Sequence, residues 1–352
     1  MDDLQGLLRR IPKVELHCHL LGTVRKATMK AMAARNGART TEDEIEAFYV
    51  RGEKPVGVLA IFREQEAHIL KTPADFRQIA CEYLEDAAAH TVRYAEIYWN
   101  PTANLHNTDL SYRELQAAIL AGMADAERSF GIRSNLIPSI DREAPPGDAV
   151  EMVRLMAADR DPRVPGIGID YREVDNPPEK FAEAYALARE AGFRVTAHAG
   201  EFGEPWNNVE TSLDLLKVER LDHAYTILDN PDLVARCVAE GTVITVVPSN
   251  SYYLRTLDRA EWAEKHPIRR MGRAGLRIHP NTDDPAFHLT DPTRCWHSMM
   301  ADFGYSLADL RGFMLNGLDG AWIDDGLRAR WKREWAAEFD RLVEEHGTGP
   351  ER

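Results

Sequence analysis

The stretch Ala191-Gly192-Phe193-Arg194-Val195-Thr196-Ala197-His198-Ala199-Gly200-Glu201 decides the fold. A helical pattern ends at Ala191, and Gly192 relieves the left-handed cap that follows a helix. Phe193 to His198 then alternates apolar residues in the manner of a strand. The strand stops at Ala199-Gly200, where glycine can adopt the turn that carries Glu201 back over the strand end. A neutral imidazole and a carboxylate then face one small space, which suits a metal ligand beside a proton donor. The competing reading is a plain surface turn, and three other places in the chain weigh against it.

The same phrase, helix then glycine then a short β-branched or aromatic run, recurs at Phe130-Gly131-Ile132, Glu240-Gly241-Thr242 and Ala274-Gly275-Leu276. Such runs read as strands buried on both faces. Helix starts carry matching signals: Asn176-Pro177 and Asn230-Pro231 place a capping side chain before a first-turn proline, and Ser111 to Glu114 is a capping box. Eight strands are expected, at Val14–His17, Tyr94–Tyr98, Ile132–Ile137, Gly166–Asp170, Phe193–His198, Arg220–His223, Val243–Val247 and Arg277–Asn281. Strands alternating with helices in this number describe an α/β fold, a (β/α)8 TIM-type barrel. A doubly wound sheet is the alternative, but no Gly-x-Gly-x-x-Gly follows the first strand.

The chain of 352 residues is read as one domain spanning 1–352, long for a domain but within the range of a barrel with insertions. Roughly eighty residues separate strands one and two, far more than an ordinary connection. This insertion, about 24–92, carries helical patterns at Ala27–Arg35, Glu42–Tyr49, Leu59–Leu70 and Asp75–Ala89. It reads as a lid over the strand ends, or as packing that seals the rim. Leu327–Glu345 reads as a charged amphipathic helix, and His346–Arg352 as a frayed end. With 44% hydrophobic and 28% charged residues the composition is that of a soluble globular protein. No apolar run approaches about 18 residues, so no membrane partner is expected. The acidic start lacks the apolar core of a signal sequence. Cys18, Cys81, Cys237 and Cys295 show no paired spacing and fit reduced thiols in a cytoplasmic protein. A formal charge of −14 argues against nucleic acid as a partner and favours a small neutral or cationic substrate.

Residues that do chemistry in such a barrel sit at the C-terminal strand ends. The first strand ends His17-Cys18-His19, and side chains two apart on a strand share a face, so both imidazoles can reach one metal. The fifth contributes His198 and the sixth His223. The eighth ends Asn281-Thr282-Asp283-Asp284-Pro285. Two adjacent acids cannot share a direction, so one can bind metal while the other faces a substrate. Singly, His223 could be a core hydrogen-bonder and the acids a helix cap; together at strand ends they indicate a mononuclear metal site. Three imidazoles and a carboxylate leave one position for water on zinc, whose pKa would fall toward neutrality. Iron, cobalt or manganese also suit that set. Gly166 to Asp170 offers no lysine for a bridging carbamate, against a two-metal site.

The segments Pro12 to His19, His198 to Glu201, Arg220 to His223 and Asn281 to Pro285 resemble the adenosine deaminase family of metal-dependent amidohydrolases, in one order from about Ile11 to Glu345. The cytidine-deaminase type needs His-x-Glu and Pro-Cys-x-x-Cys, and the chain has neither. The resemblance implies a zinc-bearing barrel with one Zn2+ per chain, held by His17, His19, His198 and Asp283. It implies that Glu201 protonates purine N1 and that His223 orients the attacking water with Asp283 assisting. It further implies that Asp284 binds N7, that Phe62 walls the pocket, and that the 6-amino group leaves as ammonia.

Three departures concern the substrate. Leu21 stands where the family places an acid for the ribose 5′-hydroxyl, Glu173 where a small residue is expected, and Asp222 and Ala224 where glycines flank the histidine. The sugar end is therefore expected to differ, with Leu21 and Glu173 among the substrate residues. The leading expectation is hydrolytic deamination of an adenosine-like purine nucleoside. The alternatives are a related substrate (5′-modified adenosine, adenine or another aminated heterocycle) and a non-catalytic, metal-stabilised binding barrel.

Overall fold

Eight short strands run in chain order around one sheet, each hydrogen-bonded in parallel to the next. They are β1 (Lys13–His19), β2 (Val92–Trp99), β3 (Arg133–Asp141), β4 (Gly166–Asp170), β5 (Arg194–Ala199), β6 (Arg220–His223), β7 (Val243–Val246) and β8 (Arg277–Pro280). The computed structural model describes residues 3–51, 56–250, 256–258 and 260–347. β4 to β8 are buried nearly throughout, as parallel strands covered on both faces must be. The (β/α)8 barrel read from the sequence is the observed fold.

The seam between β8 and β1 explains how the barrel closes and why its mouth holds a site. Side chains replace ladder bonds there: Leu16 N–H donates to Asn281 Oδ1 (2.8 Å) and Thr282 N–H to the Glu15 carboxylate (3.0 Å). Farther along, the backbones of Cys18 and Asp283 bridge directly, with His19 N–H donating to Asp283 O and Asp283 N–H to His17 O, both at 3.0 Å. The motif at the end of β1 is thereby stitched to the acid at the end of β8.

The insertion forms helices Lys26–Arg35, Glu42–Phe48, Val58–Glu64 and Pro73–Ala88. The expected continuous helix Leu59–Leu70 instead changes to a π-turn at Gln65–Ile69, which turns Gln65 Nε2 onto the Leu21 carbonyl (3.1 Å). Arg63 ties the insertion to the barrel, donating to Asp141 (2.5 Å) and covering the Tyr171 ring at 4.0 Å. Ser111 and Asn230 cap their helices as expected. Asn176 does not: its amide donates to Arg172 O and Val174 O, because a short 3-10 turn at Pro178–Phe181 follows instead of an α-helix start. The final helix runs Asp325–Gly347, beyond the expected end at Glu345, and the rest of the stretch read as frayed, 348–352, lies outside the described residues.

Candidate active site

Gly200 adopts φ +64°, and a Cβ there would overlap the Thr226 hydroxyl. Glycine therefore lets the chain turn at the end of β5 and places Glu201 beside the imidazoles. Glu173 pins this turn, accepting from the N–H groups of Gly200 (3.0 Å) and Glu201 (3.1 Å) and from Asn208 Nδ2 (2.9 Å). At β6 and β8 no glycine is available, and His223 (φ +65°), Ala224 (φ +49°) and Asp283 (φ +64°) occupy the left-handed region themselves. Such strain persists only where surrounding structure enforces it, and it concentrates at functional sites.

His17, His19, His198, His223 and Asp283 meet in one buried cluster. Nε2 of His19 lies 3.2 Å from Nε2 of His198, and Asp283 Oδ1 lies 3.2 Å from His19 Nε2 and 3.4 Å from His17 Nε2. Ligands of a tetrahedral zinc, at about 2.0–2.1 Å from the ion, stand about 3.3 Å apart. Two imidazole nitrogens facing each other at that spacing, with His17 Nε2 meeting no hydrogen-bond partner, fit a shared cation. Burial opposes charge on His19, but Asp170 and Asp283 outweigh it and raise its pKa well above the usual value. The same negative field favours a metal dication. Burial also opposes ionisation of Asp283, and His17 and His19 override it, holding its carboxyl well below the ordinary range.

Beside the cluster, burial and the charge of Asp283 push the Glu201 carboxyl well up, which favours its protonated form. Its Oε1 accepts from Asn250 Nδ2 at 3.0 Å, and its Oε2 lies 3.5 Å from His223 Nε2. His223 is kept neutral by burial and by His17. Asp284 is likewise pushed up by burial and Asp283, and its Oδ1 has no hydrogen-bond partner. It packs against Gly22, where a Cβ would lie 2.7 Å from the Asp284 Cα. These groups line a cavity of about 160 Å³ with His19, His198, Phe62, Leu59 and Tyr171. The Phe62 ring sits 5.9 Å from that of His19.

Leu21 and Glu173, expected to touch substrate, do not line this cavity. Leu21 is buried under the insertion, and the Glu173 carboxylate is spent on the Gly200 turn. Polar lining residues missed in the sequence are Asp170, Tyr171, His288 and Asn250, the last just past β7. The strand was counted, and applying the strand-end rule to Pro248-Ser249-Asn250 would have found it.

The adenosine deaminase sequence profile matches residues 12–334. The chain belongs to the adenosine deaminase family. An adenine deaminase of Rhodospirillum rubrum is 36% identical over 335 residues, covering 94% of this chain and 98% of its own. A zinc-bound amidohydrolase from Burkholderia ambifaria is 56% identical with a TM-score of 0.97, covering 99% of this chain and 95% of its own. An adenine deaminase from Arthrobacter aurescens is 30% identical with a TM-score of 0.85, covering 94% and 99%. Membership in the adenosine deaminase family makes the protein a hydrolytic aminohydrolase, and zinc is its cofactor. No helix among the described residues is long and apolar enough to cross a membrane.

Proposed function

We propose that this protein deaminates a free 6-aminopurine base, adenine in the simplest case, in preference to a nucleoside. The observation that carries this reading is the cavity: its 160 Å³ falls below the roughly 300–1,000 Å³ typical of drug-sized ligands. A flat bicyclic base suits that space better than a base carrying a pentose. Relatives named adenine deaminase support the same choice, as does Leu21 in place of a sugar-binding acid.

His17, His19 and His198, with Asp283, would hold the zinc. When bound, the ion supplies a nucleophile near neutral pH by acidifying water. Glu201, whose burial favours the protonated form, would give its proton to ring N1 and make C6 electrophilic. Asn250 fixes Oε1 of that carboxyl, so the acid does not swing. Neutral His223 would orient the attacking water through Nε2, with Asp283 assisting its deprotonation. Asp284, carrying its own proton, would donate to N7. Phe62 would wall the pocket against water. Water adds at C6, the C6–N bond breaks, and ammonia leaves a 6-oxo base.

These roles draw on residues 17 to 284, so the whole chain would act as one catalytic domain. Four free cysteines support a cytoplasmic setting. The test is an ultraviolet absorbance assay of zinc-loaded protein with adenine, adenosine and a 5′-substituted adenosine side by side. We expect kcat/KM for adenine to exceed both nucleosides by at least about tenfold, the size of one lost favourable contact. Adenosine turned over as well as adenine would overturn the base reading. A 5′-substituted nucleoside preferred over both would shift the substrate toward a modified sugar, as Leu21 also permits.

A further inference from the structure

The register of three neighbouring strands sets His198 on β5 opposite Asp222 on β6, and Asp222 opposite Thr245 on β7. Asp222 and Thr245 are fully buried beneath the imidazole cluster. The Asp222 carboxylate collects three hydroxyl donors: Thr245 Oγ1 at 2.7 Å on Oδ1, and Tyr98 and Thr196, each at 2.8 Å, on Oδ2. The Tyr98 ring lies 5.3–5.4 Å from those of His17, His19 and His198. His17 Nδ1 lies 2.8 Å from Thr245 Oγ1, and His198 Nδ1 lies 3.7 Å from Asp222 Oδ2.

Proton direction along this chain follows from chemistry. A carboxylate only accepts, so the single Thr245 hydrogen is spent on Asp222. The Thr245 oxygen can then only accept from His17, which places the imidazole proton on Nδ1 and leaves a lone pair on Nε2. We propose that Asp222 is a positioning residue that, acting through Thr245, holds His17 in the tautomer whose Nε2 binds zinc. The family resemblance predicts glycine at this position, so the device belongs to this chain's own departure from that pattern. It rests on the reading of His17 as a ligand.

Asp222→Asn keeps the shape but introduces an amide that can donate to Thr245, which frees the hydroxyl hydrogen to turn toward His17 Nδ1. Thr245→Val removes the acceptor, and Thr245→Ser keeps it. The readouts are the zinc dissociation constant by chelator competition and the melting temperature of metal-free protein. We expect Asp222→Asn and Thr245→Val to weaken zinc binding by about 10–100-fold. Metal-free melting should stay near wild type, and Thr245→Ser should bind within about threefold of it. Wild-type zinc affinity in both Asp222→Asn and Thr245→Val, with affinity lost in His17→Ala, would overturn the proposal. Normal zinc affinity in His17→Ala would instead overturn the ligand reading beneath it. If Asp222→Asn does not fold, the contrast between valine and serine at 245 decides: equal zinc affinity refutes the relay.

Discussion

The two ends of the barrel use buried charge in opposite ways. Toward the bottom, Arg220 at the start of β6 donates to Glu96 at 2.7 Å and to Gly320 O at 3.0 Å. The other Glu96 oxygen accepts from Tyr94 and from the Trp322 N–H, while Trp322 faces the guanidinium at 4.8 Å. Both oxygens of that carboxylate are engaged. At the mouth, the same eight strands leave His17 Nε2 and Asp284 Oδ1 without a hydrogen-bond partner. They also hold His223, Ala224 and Asp283 at positive φ. Buried polar groups cost free energy unless satisfied. At the bottom Arg220 Nε also lacks a hydrogen-bond partner but lies 3.9 Å from Asp222 Oδ1, whereas the open atoms at the mouth belong to the group of residues that a metal or substrate would complete. The bottom holds its charges against each other; the mouth is where we place the metal and the substrate.

Each probe should therefore move one quantity and leave the other. The largest effect is expected at the mouth: Glu201→Gln should cut kcat by about 10²–10⁴, the range of general acid catalysis, while zinc content and melting temperature hold. Turnover within tenfold of wild type would remove Glu201 from the reaction. At the bottom the reverse is expected. Glu96→Leu strands the Arg220 charge and should cost about 3–5 kcal/mol in denaturant unfolding, with KM unchanged for the molecules that remain folded. A shifted KM would show that the two ends are coupled.

At neutral pH the smallest effect lies in the rim packing, which matters only as the pH falls. His266 is buried against Tyr225 and Phe303, its Nδ1 accepts from the Ile268 N–H, and burial lowers its pKa to about 3. The unfolded chain takes up that proton first as pH falls below the unperturbed value of about 6.5. Stability from neutral His266 is thus intact above that pH and lost toward pH 3, at up to about 1.4 kcal/mol per pH unit. His279 and His288, both lowered to about 4 by burial, add to the same slope. Replacing His266 with Gln should flatten the acid limb of a stability–pH curve measured by urea unfolding. An unchanged slope would show that His266 already carries its proton in the fold.

The sequence by itself determined the order of strands and helices. Glycine caps, first-turn prolines and buried apolar runs are local signals, and parallel strands alternating with helices leave few topologies. It also brought His17, His19, His198, His223 and Asp283 to the mouth, because the rule that strand ends carry chemistry needs only the strand count, though Asn250 escaped it. Where the signal was not local, it failed. Leu59–Leu70 reads as one helix, yet it changes to a π-turn at Gln65–Ile69 that sets Gln65 Nε2 on the Leu21 carbonyl. Glu173 looked like a substrate residue until the fold brought it against the Gly200 turn, 27 residues away in sequence. Thr245 and Tyr98 lie inside strands and look like any buried residue, and Asp222 stood out only as a departure from a family glycine; the register across β5, β6 and β7, and the barrel's curvature, collect them under three imidazoles. The tertiary structure decided these points because an orphaned lone pair, a pinned turn and a proton direction arise from atoms that chain order keeps far apart.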